Sequence, residues 1–454
     1  MVMKTEQLYP TKPIECWGHM KELRGRFFKN MWKAQERGQP LYMGAGLSFM
    51  GALPMGLGDS YSLMHGPYFA RLMRDPDRAV WCHEGSEMHG LSRDLCSTLR
   101  LAIGTFYRGF HSTGDSGEQV HPQFVFEPQI CIAQSKIAQI FSREYSIPFI
   151  AMEIPFITDR SDEQHVESAR RYFIDQAGSA IEQMEKATGI KYDDERLIQG
   201  VRNQWEACRY WGLVCLLQKA APAPLDMRML ESFGAMLFAV GPFRKEGVEG
   251  IKALYEETLE RVKEGIAALG TERCRILYDG QPVYYRMSLL RYPSRYGAVM
   301  VGGRFTYIMH GSYSIAEDGT WGPAPTLEEL GLPLRTREDA LRVLADHCML
   351  YRPMMWTEYV PSKVREHIML ARDWNVDGVL YHLDLGCKFI AAGHQEAKLA
   401  VQDMGIPTMS FEASSSDPRD LSESQVVDQM DAFLSNMGLT QIDPFGSAPA
   451  REDE

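Results

Sequence analysis

One unit in this chain occurs twice, and it limits the possible folds more than any other feature. Near residue 125, QFVFE reads as a strand, PQIC as a turn, IAQSKIAQIFSREY as a helix and IPFIAME as the next strand. Near residue 380 the pattern returns as DGVLYHL, DLGC, KFIAAGHQEAKLAVQDMG and IPTMSFE. A strand joined to the next through a helix makes a parallel pair. In each copy a cysteine, Cys131 or Cys387, sits in the turn before the helix, and an Ile-Pro pair (Ile147-Pro148, Ile406-Pro407) opens the following strand. The turn lies at the carboxyl end of its strand, where open α/β sheets bind ligands. It also lies at a helix N-terminus, where the dipole favours thiolate. Two such units facing each other would bring both thiols to one cleft.

The rest of the chain fits around these copies. Its 454 residues exceed one ordinary core. The divisions expected are a helical segment at 1–40, a first α/β domain with a helical extension at 41–221, a second α/β domain at 222–440 and a disordered tail at 441–454. Met20, Leu23, Phe27, Met31 and Ala34 recur at helical spacing and predict a helix over 17–37, ended by Gly38. Two long helices are predicted over 161–188 and 193–219, the first with a Ser161/Gln164 capping box. Helix 247–268, strand RILYDG, helix MSLLRY, strand GAVMVGG and a helix over 336–351 capped by Thr336 complete the second half.

Between the first helix and the first copy lies LYMGAGLSFMGALPMGLGDS. Leu41–Ala45 could form a strand, and the glycines suggest backbone lying close to a ligand or to another segment. Gly44, Gly46 and Ser48 are the candidate ligand contacts, although a tight turn between strand and helix is equally compatible. The segment is not a dinucleotide fingerprint, because Phe49 stands where the third glycine belongs, and no phosphate-binding loop sequence occurs in the chain.

Net charge is −12, which argues against non-specific binding to nucleic acid or membranes. The uncharged stretch Leu41–Gly58 is broken by glycines and Pro54, so no membrane helix is expected. The N-terminus shows no secretory signal. Nine scattered cysteines without a Cys-x-x-Cys pair make no disulfide scaffold, zinc ribbon or thioredoxin motif. A reducing cytoplasm is the expected location. Cys96, at the start of the apparent helix in RDLCSTLRLAIG, is a third candidate ligand, and Cys82 in WCHEGSEMHG a possible extra one. Cys208, Cys215, Cys274 and Cys348 read as core or element residues. Three thiolates from separate segments suit an iron–sulfur cluster with one open iron. A zinc site of three cysteines and a histidine competes.

Around these cysteines the sequence resembles the 2-hydroxyacyl-CoA dehydratase and benzoyl-CoA reductase family. The matching pieces are CSTLRLAIG, PQICIAQSKIAQIFSREYSIPFIAMEIPF, RILYDGQPVYYRMSLLRYPSRYGAVMV and the run from DGVLYHLDLGC to the Asp-Pro-Arg and closing helix, spanning roughly 40 to 438. The resemblance implies an α/β fold of two Rossmann- or flavodoxin-like parallel-sheet domains with extra helices. It implies a 4Fe-4S cluster in the cleft between them, held by Cys96, Cys131 and Cys387. It further implies a homologous second cluster subunit, ATP-hydrolysing iron–sulfur activator subunits that inject electrons, and a coenzyme A thioester substrate.

The segments LYMGAGLSFMGALP and Pro293–Ala298 (PSRYGA) depart from the dehydratase pattern, and the length and the opening YPTKPIECW look more like the larger catalytic subunit of an ATP-dependent benzoyl-CoA reductase. Radical, Birch-like reduction of an aromatic acyl-CoA ring is therefore the expected activity. Radical dehydration of a 2-hydroxyacyl-CoA, a non-catalytic electron relay and a double-cubane cluster are the alternatives. His83, Glu84, His89, His382 and Asp384 lie near the ligand cysteines in sequence and are candidate proton donors. Trp81, Phe126, Phe156 and Tyr381 are bulky enough to shield a cluster, though ordinary core is the plainer reading.

Overall fold

A computed structural model describes residues 8–44, 50–63, 69, 72–109, 121–157, 159–356 and 359–442. Gly46, Ser48 and all of the expected tail beyond residue 442 lie outside them.

The duplication predicted from the two copies is present and extends beyond them. The first sheet contains β1 (Leu41–Met43), β2 (Tyr61–Ser62), β3 (Phe124–Gln129) and β4 (Phe149–Glu153). The second contains β5 (Cys274–Asp279) and β6 (Ala298–Gly302). A small antiparallel pair follows, β7 (Tyr313–Ile315) with β8 (Trp321–Pro323), before the second sheet is completed by β9 (Gly378–Asp384) and β10 (Thr408–Ala413). The spatial orders are β2-β1-β3-β4 and β6-β5-β9-β10, all parallel. Both sheets therefore follow one scheme: the second strand lies to one side of the first, the third and fourth to the other. The strand order reverses between the first and third strands, and their carboxyl ends flank the crevice where α/β sheets take ligands. Cys131 follows β3 and Cys387 follows β9, so the thiols occupy equivalent places in the two sheets.

The central strands are buried along their whole length, as parallel strands covered on both faces must be. Phe124, Val125 and Phe126 in β3 and Val379, Leu380 and Tyr381 in β9 are almost inaccessible. One continuous apolar cluster contains Tyr42, Phe124 and Phe126 of the first sheet and Leu277, Val301 and Val379 of the second. Helices Glu163–Thr188 and Asp194–Leu217 contribute Phe173, Ile181, Trp205 and Trp211 to it. Cys208 and Cys215 are fully buried on the second of these helices, as core residues.

Several local details differ from the sequence reading. The first helix is Cys16–Trp32 and ends in turns before Gly38, whose φ of 63° is one that glycine tolerates. It lies on helix Lys245–Glu264, with Met20 packed where Gly250 leaves room. The helix expected from residue 161 is capped by Asp162, which accepts from the His165 amide at 2.9 Å. Ser161 instead donates to Asp159. MSLLRY belongs to a 3-10 segment, Tyr284–Tyr296, which is kinked at Arg286 and contains Pro293. Thr336 does cap Arg337–Leu350, in a reciprocal box with Asp339. Among the described residues no helix is long and apolar enough to cross a membrane.

Burial also makes folding pH-dependent. His310, packed between Trp211 and Phe238, is pushed down to about 3 by burial and by the nearby Arg352 charge. A histidine neutral in the folded state but protonated when unfolded stabilises fully above its unfolded pKa, near 6.5. That stability is lost as pH falls toward the folded value. Thermal melting of the metal-free chain should thus drop between pH 6.5 and 5. His310→Leu should flatten the slope by up to ~1.4 kcal/mol per pH unit, whereas an unchanged slope would contradict a buried, neutral His310.

Candidate functional site

The three candidate ligand cysteines share one structural position. Each is the residue immediately before a helix: Cys96 before Ser97–Tyr107, Cys131 before Ile132–Tyr145 and Cys387 before the short Lys388–Ala391. Cys96 and Cys387 are buried, and Cys131 is half-buried. The Cys96 and Cys387 turns abut directly. A Cβ added to Gly386 would sit 2.5 Å from the Leu95 carbonyl oxygen and 3.0 Å from the Cys96 Cα, so only glycine permits this approach. Cys131 is near enough for both other thiols to feel its charge.

The electrostatics run against the simple expectation of helix-stabilised thiolates. Burial pushes the Cys96 thiol up to about 12, with Asp384 adding to it, while the Leu99 and Thr98 amides pull it back. Burial, Cys96 and Asp384 likewise raise Cys387 well above the ordinary thiol range. The buried Cys96 and Cys387 thiols, which repel one another as anions, stay protonated until a positively charged group balances them. Among the described residues, no three His, Cys, Asp or Glu side chains converge closely enough to bind a single metal ion.

The scaffold of the site comes from the second sheet. Asp384, at the end of β9, accepts from the Gly386 and Cys387 amides at 3.0 and 3.2 Å through one oxygen. Through the other it accepts from the Ser415 amide at 3.2 Å. It shapes the Cys387 turn and fastens it to the Ser414–Asp417 segment after β10. That segment reaches across to the Cys96 helix: the Ser416 amide donates to Ser97 Oγ at 3.1 Å, and Thr98 and Ser416 hydroxyls meet at 2.9 Å. Beside them Arg100, fully buried, donates to Asp417 and Glu87, each at 3.1 Å, and Arg419 bridges the same two carboxylates. Burial would raise the Asp417 carboxyl, but Arg419, His83 and Arg100 hold it well below the usual range.

The candidate proton donors separate into distinct settings. Asp384 lies at the site but is engaged as an acceptor of backbone amides. His382 is buried, with Nδ1 against the Gln281 carbonyl, Nε2 3.2 Å from the Ala413 carbonyl, and its ring stacked on Phe411. That arrangement braces β9 within its sheet. His83 is buried in helix Pro76–Met88 and meets the Ser416 carbonyl through Nε2 at 2.8 Å, whereas among the described residues its Nδ1 finds no hydrogen-bond partner. Burial lowers its pKa to about 4, so it is a neutral ring donating through Nε2. Glu84 is exposed on the same helix, and His89 stacks on Tyr107. Cys82 packs with Leu72, Ala79 and Leu101 in a separate apolar cluster. Gly44 has a packing reason for its identity: a Cβ there would lie 1.9 Å from the Phe126 carbonyl oxygen. Phe126 and Tyr381 are core, whereas Trp81 and Phe156 are partly exposed.

Sequence reasoning missed three contributors. Gln281 Nε2 donates to Cys387 Sγ at 3.4 Å. Lys363, almost wholly buried, donates to the carbonyls of Ile390 and Ala392 behind the Cys387 helix, and burial lowers it to about 7. Asp279, ending β5, accepts from His367 and His394 at 2.9 Å each. Two of these had a signal in the repeat: Asp279 and Gln281 lie at the carboxyl end of the second sheet's first strand, the counterpart of Gly44.

The fold is that of a duplicated parallel α/β protein, with Cys131 and Cys387 at the carboxyl ends of equivalent strands and the Cys96 turn against the Cys387 turn. The chain matches the family model for "2-hydroxyglutaryl-CoA dehydratase, D-component" over residues 50–437, and it belongs to that family. It is 25% identical over 315 residues to the alpha subunit of (R)-2-hydroxyglutaryl-CoA dehydratase from Acidaminococcus fermentans, covering 68% of this chain and 58% of that relative's length. It is 23% identical to the (R)-2-hydroxyisocaproyl-CoA dehydratase alpha subunit of Clostridioides difficile, covering 92% of this chain and 94% of the relative. It is also 23% identical to a subunit of the benzoyl-CoA reductase of Thauera aromatica, covering 77% and 78% respectively.

The Arg100–Asp417 pair has a measurable consequence. Arg100→Met leaves Asp417 buried with one cationic partner fewer and should destabilise the chain by about 3 kcal/mol. The double variant Arg100→Met/Asp417→Leu should recover part of that loss in urea unfolding. Equal stability of Arg100→Met and the parent would show that the pair does not hold the two segments together.

Proposed function

We propose that Cys96, Cys131 and Cys387 hold a 4Fe-4S cluster and that the chain is the cluster-bearing subunit of a radical acyl-CoA enzyme. The observation that carries this reading is the meeting of three cysteines from distant segments, each ahead of a helix, at the carboxyl edges of two equivalent sheets. Their mutual charge coupling without convergence on one point suits a multinuclear group better than a zinc ion. Such a cluster supplies one-electron transfer at low potential and leaves one iron open to a ligand.

The protein's own residues would serve that chemistry in definable ways. The Leu99 and Thr98 amides and the Gln281 amide stabilise negative charge on the ligand sulfurs. Asp384 fixes the Cys387 turn. Cys96 and Cys387 are nearly inaccessible, which would limit the contact of solvent with their sulfurs. The His83 Nδ1 lone pair faces the protein interior as a neutral base, and a proton carried there would have to arrive from substrate or solvent.

Within this class we favour reduction of an aromatic acyl-CoA ring. Of the two departures from the dehydratase pattern, Pro293–Ala298 leads into the start of β6 and so lies at the amino edge of its sheet, at the opposite end from Cys387. It carries no weight for substrate choice. The preference rests on the chain length and the opening YPTKPIECW, which resemble the larger subunit of such a reductase. Dehydration of a 2-hydroxyacyl-CoA is the second reading, favoured by the dehydratase subunits among the relatives. A homologous partner subunit and an ATP-hydrolysing activator complete the proposed system. Exposed Leu95, Ile132 and Leu385, each beside one of the three cysteines, provide apolar surface that a partner would cover.

Anaerobic purification should give roughly four iron and four sulfide per chain. Cys96→Ser, Cys131→Ser and Cys387→Ser should each lose most of it, while Cys82→Ser keeps it. Retention of full iron content in all three serine variants would overturn the ligand assignment. With partner and activator supplied, benzoyl-CoA should be consumed with formation of a dienoyl product. Turnover of 2-hydroxyacyl-CoA thioesters alone would select the dehydratase reading.

A further inference from the structure

We infer that Gln281 is a positioning residue for Cys387, whose amide N–H on the ligand sulfur sets the reduction potential of the group bound there. This inference rests on the cluster reading above and adds a specific residue to it.

Gln281 stands at the carboxyl end of β5, beside β9, where the strand order of the second sheet reverses. The chain reaches that place only through Gly280, whose φ is 117° and whose Cβ would lie 2.5 Å from the His382 carbonyl oxygen. The Gln281 backbone is then clamped from two sides. Its carbonyl accepts from Tyr278 Oη at 3.1 Å and from His382 Nδ1. With the main chain held in this way, the side-chain amide reaches Cys387 Sγ at 3.4 Å, a normal length for a hydrogen bond to sulfur. This also gives His382 a role: through the Gln281 carbonyl it fixes the donor and not the substrate.

A glutamine is suited to this task because it donates without ionising. A neutral thiol accepts such a bond weakly. A thiolate accepts it strongly, because the bond is then charge-assisted. The donor therefore stabilises the form with more negative charge on sulfur. For a one-electron couple at thiolate-held iron, that is the reduced form, and hydrogen bonds to the ligand sulfurs are among the terms that set such potentials. Removing the donor makes the added electron harder to hold and lowers the potential.

The test compares the parent chain with Gln281→Leu and Gln281→Glu, purified anaerobically, in redox titrations followed by electron paramagnetic resonance. Glutamate preserves the shape of the side chain, and its carboxylate can only accept. Both variants should keep the parent's iron and sulfide content. At the parent's midpoint poise, each should shift the oxidised-to-reduced ratio by about tenfold toward oxidised, ~59 mV for one electron, with the glutamate variant shifted further. Unchanged midpoints in both variants with iron retained would overturn the inference and leave the cluster reading standing. Loss of iron in both, with the fold intact by circular dichroism, would also overturn it, by making Gln281 a support for cluster retention alone. A parent chain that binds no iron would overturn the cluster reading itself.

Discussion

The site depends on one buried carboxylate. Asp384 satisfies three backbone amides at once, those of Gly386, Cys387 and Ser415. Each amide, if buried without a partner, would cost about 1–3 kcal/mol. By collecting them, Asp384 closes the turn that presents Cys387 and draws in the segment after β10. That segment then grips the start of the Cys96 helix through Ser97 and Thr98. Two of the three cysteines are thus positioned by one side chain at the end of one strand. The Arg100–Asp417–Arg419–Glu87 network fixes the same junction from the far side.

The duplication explains why such a junction exists. Two sheets with the same strand order have their ligand-binding edges at equivalent places, and a shared apolar core runs through both. The copies are alike in topology and unlike in chemistry. The second unit carries the acid in its turn, a glutamine donor after β5 and a buried lysine behind the Cys387 helix. The first carries a half-buried cysteine followed by an exposed isoleucine, Ile132. In this arrangement the second unit organises the site and the first supplies a ligand at its rim.

Much of this was legible in the chain itself. Alternation of buried strand, turn and helix located β3, β4, β5, β6, β9 and β10, because each has enough apolar residues to show its period. β2, β7 and β8 were not found, since two or three residues carry no periodic signal. The Cys131 and Cys387 positions were readable because a repeated context is hard to produce by packing alone. The electrostatics of Cys387 were not: helix position suggested an easily formed thiolate, but burial dominates. Gln281, Lys363 and the Asp279 histidines escaped notice because their roles are long-range contacts between segments far apart in sequence. The glycines misdirect in the other direction. Gly44 suggested a ligand, and its neighbour is the Phe126 carbonyl.

Three sulfurs sharing one metal group at the junction of the two units are the centre of the proposed chemistry. Iron-edge anomalous diffraction from anaerobically grown crystals tests this most directly. The predicted result is a single strong iron feature bounded by the Cys96, Cys131 and Cys387 sulfurs. An iron feature bound by other residues, or none at that junction in protein shown to contain iron, would contradict it.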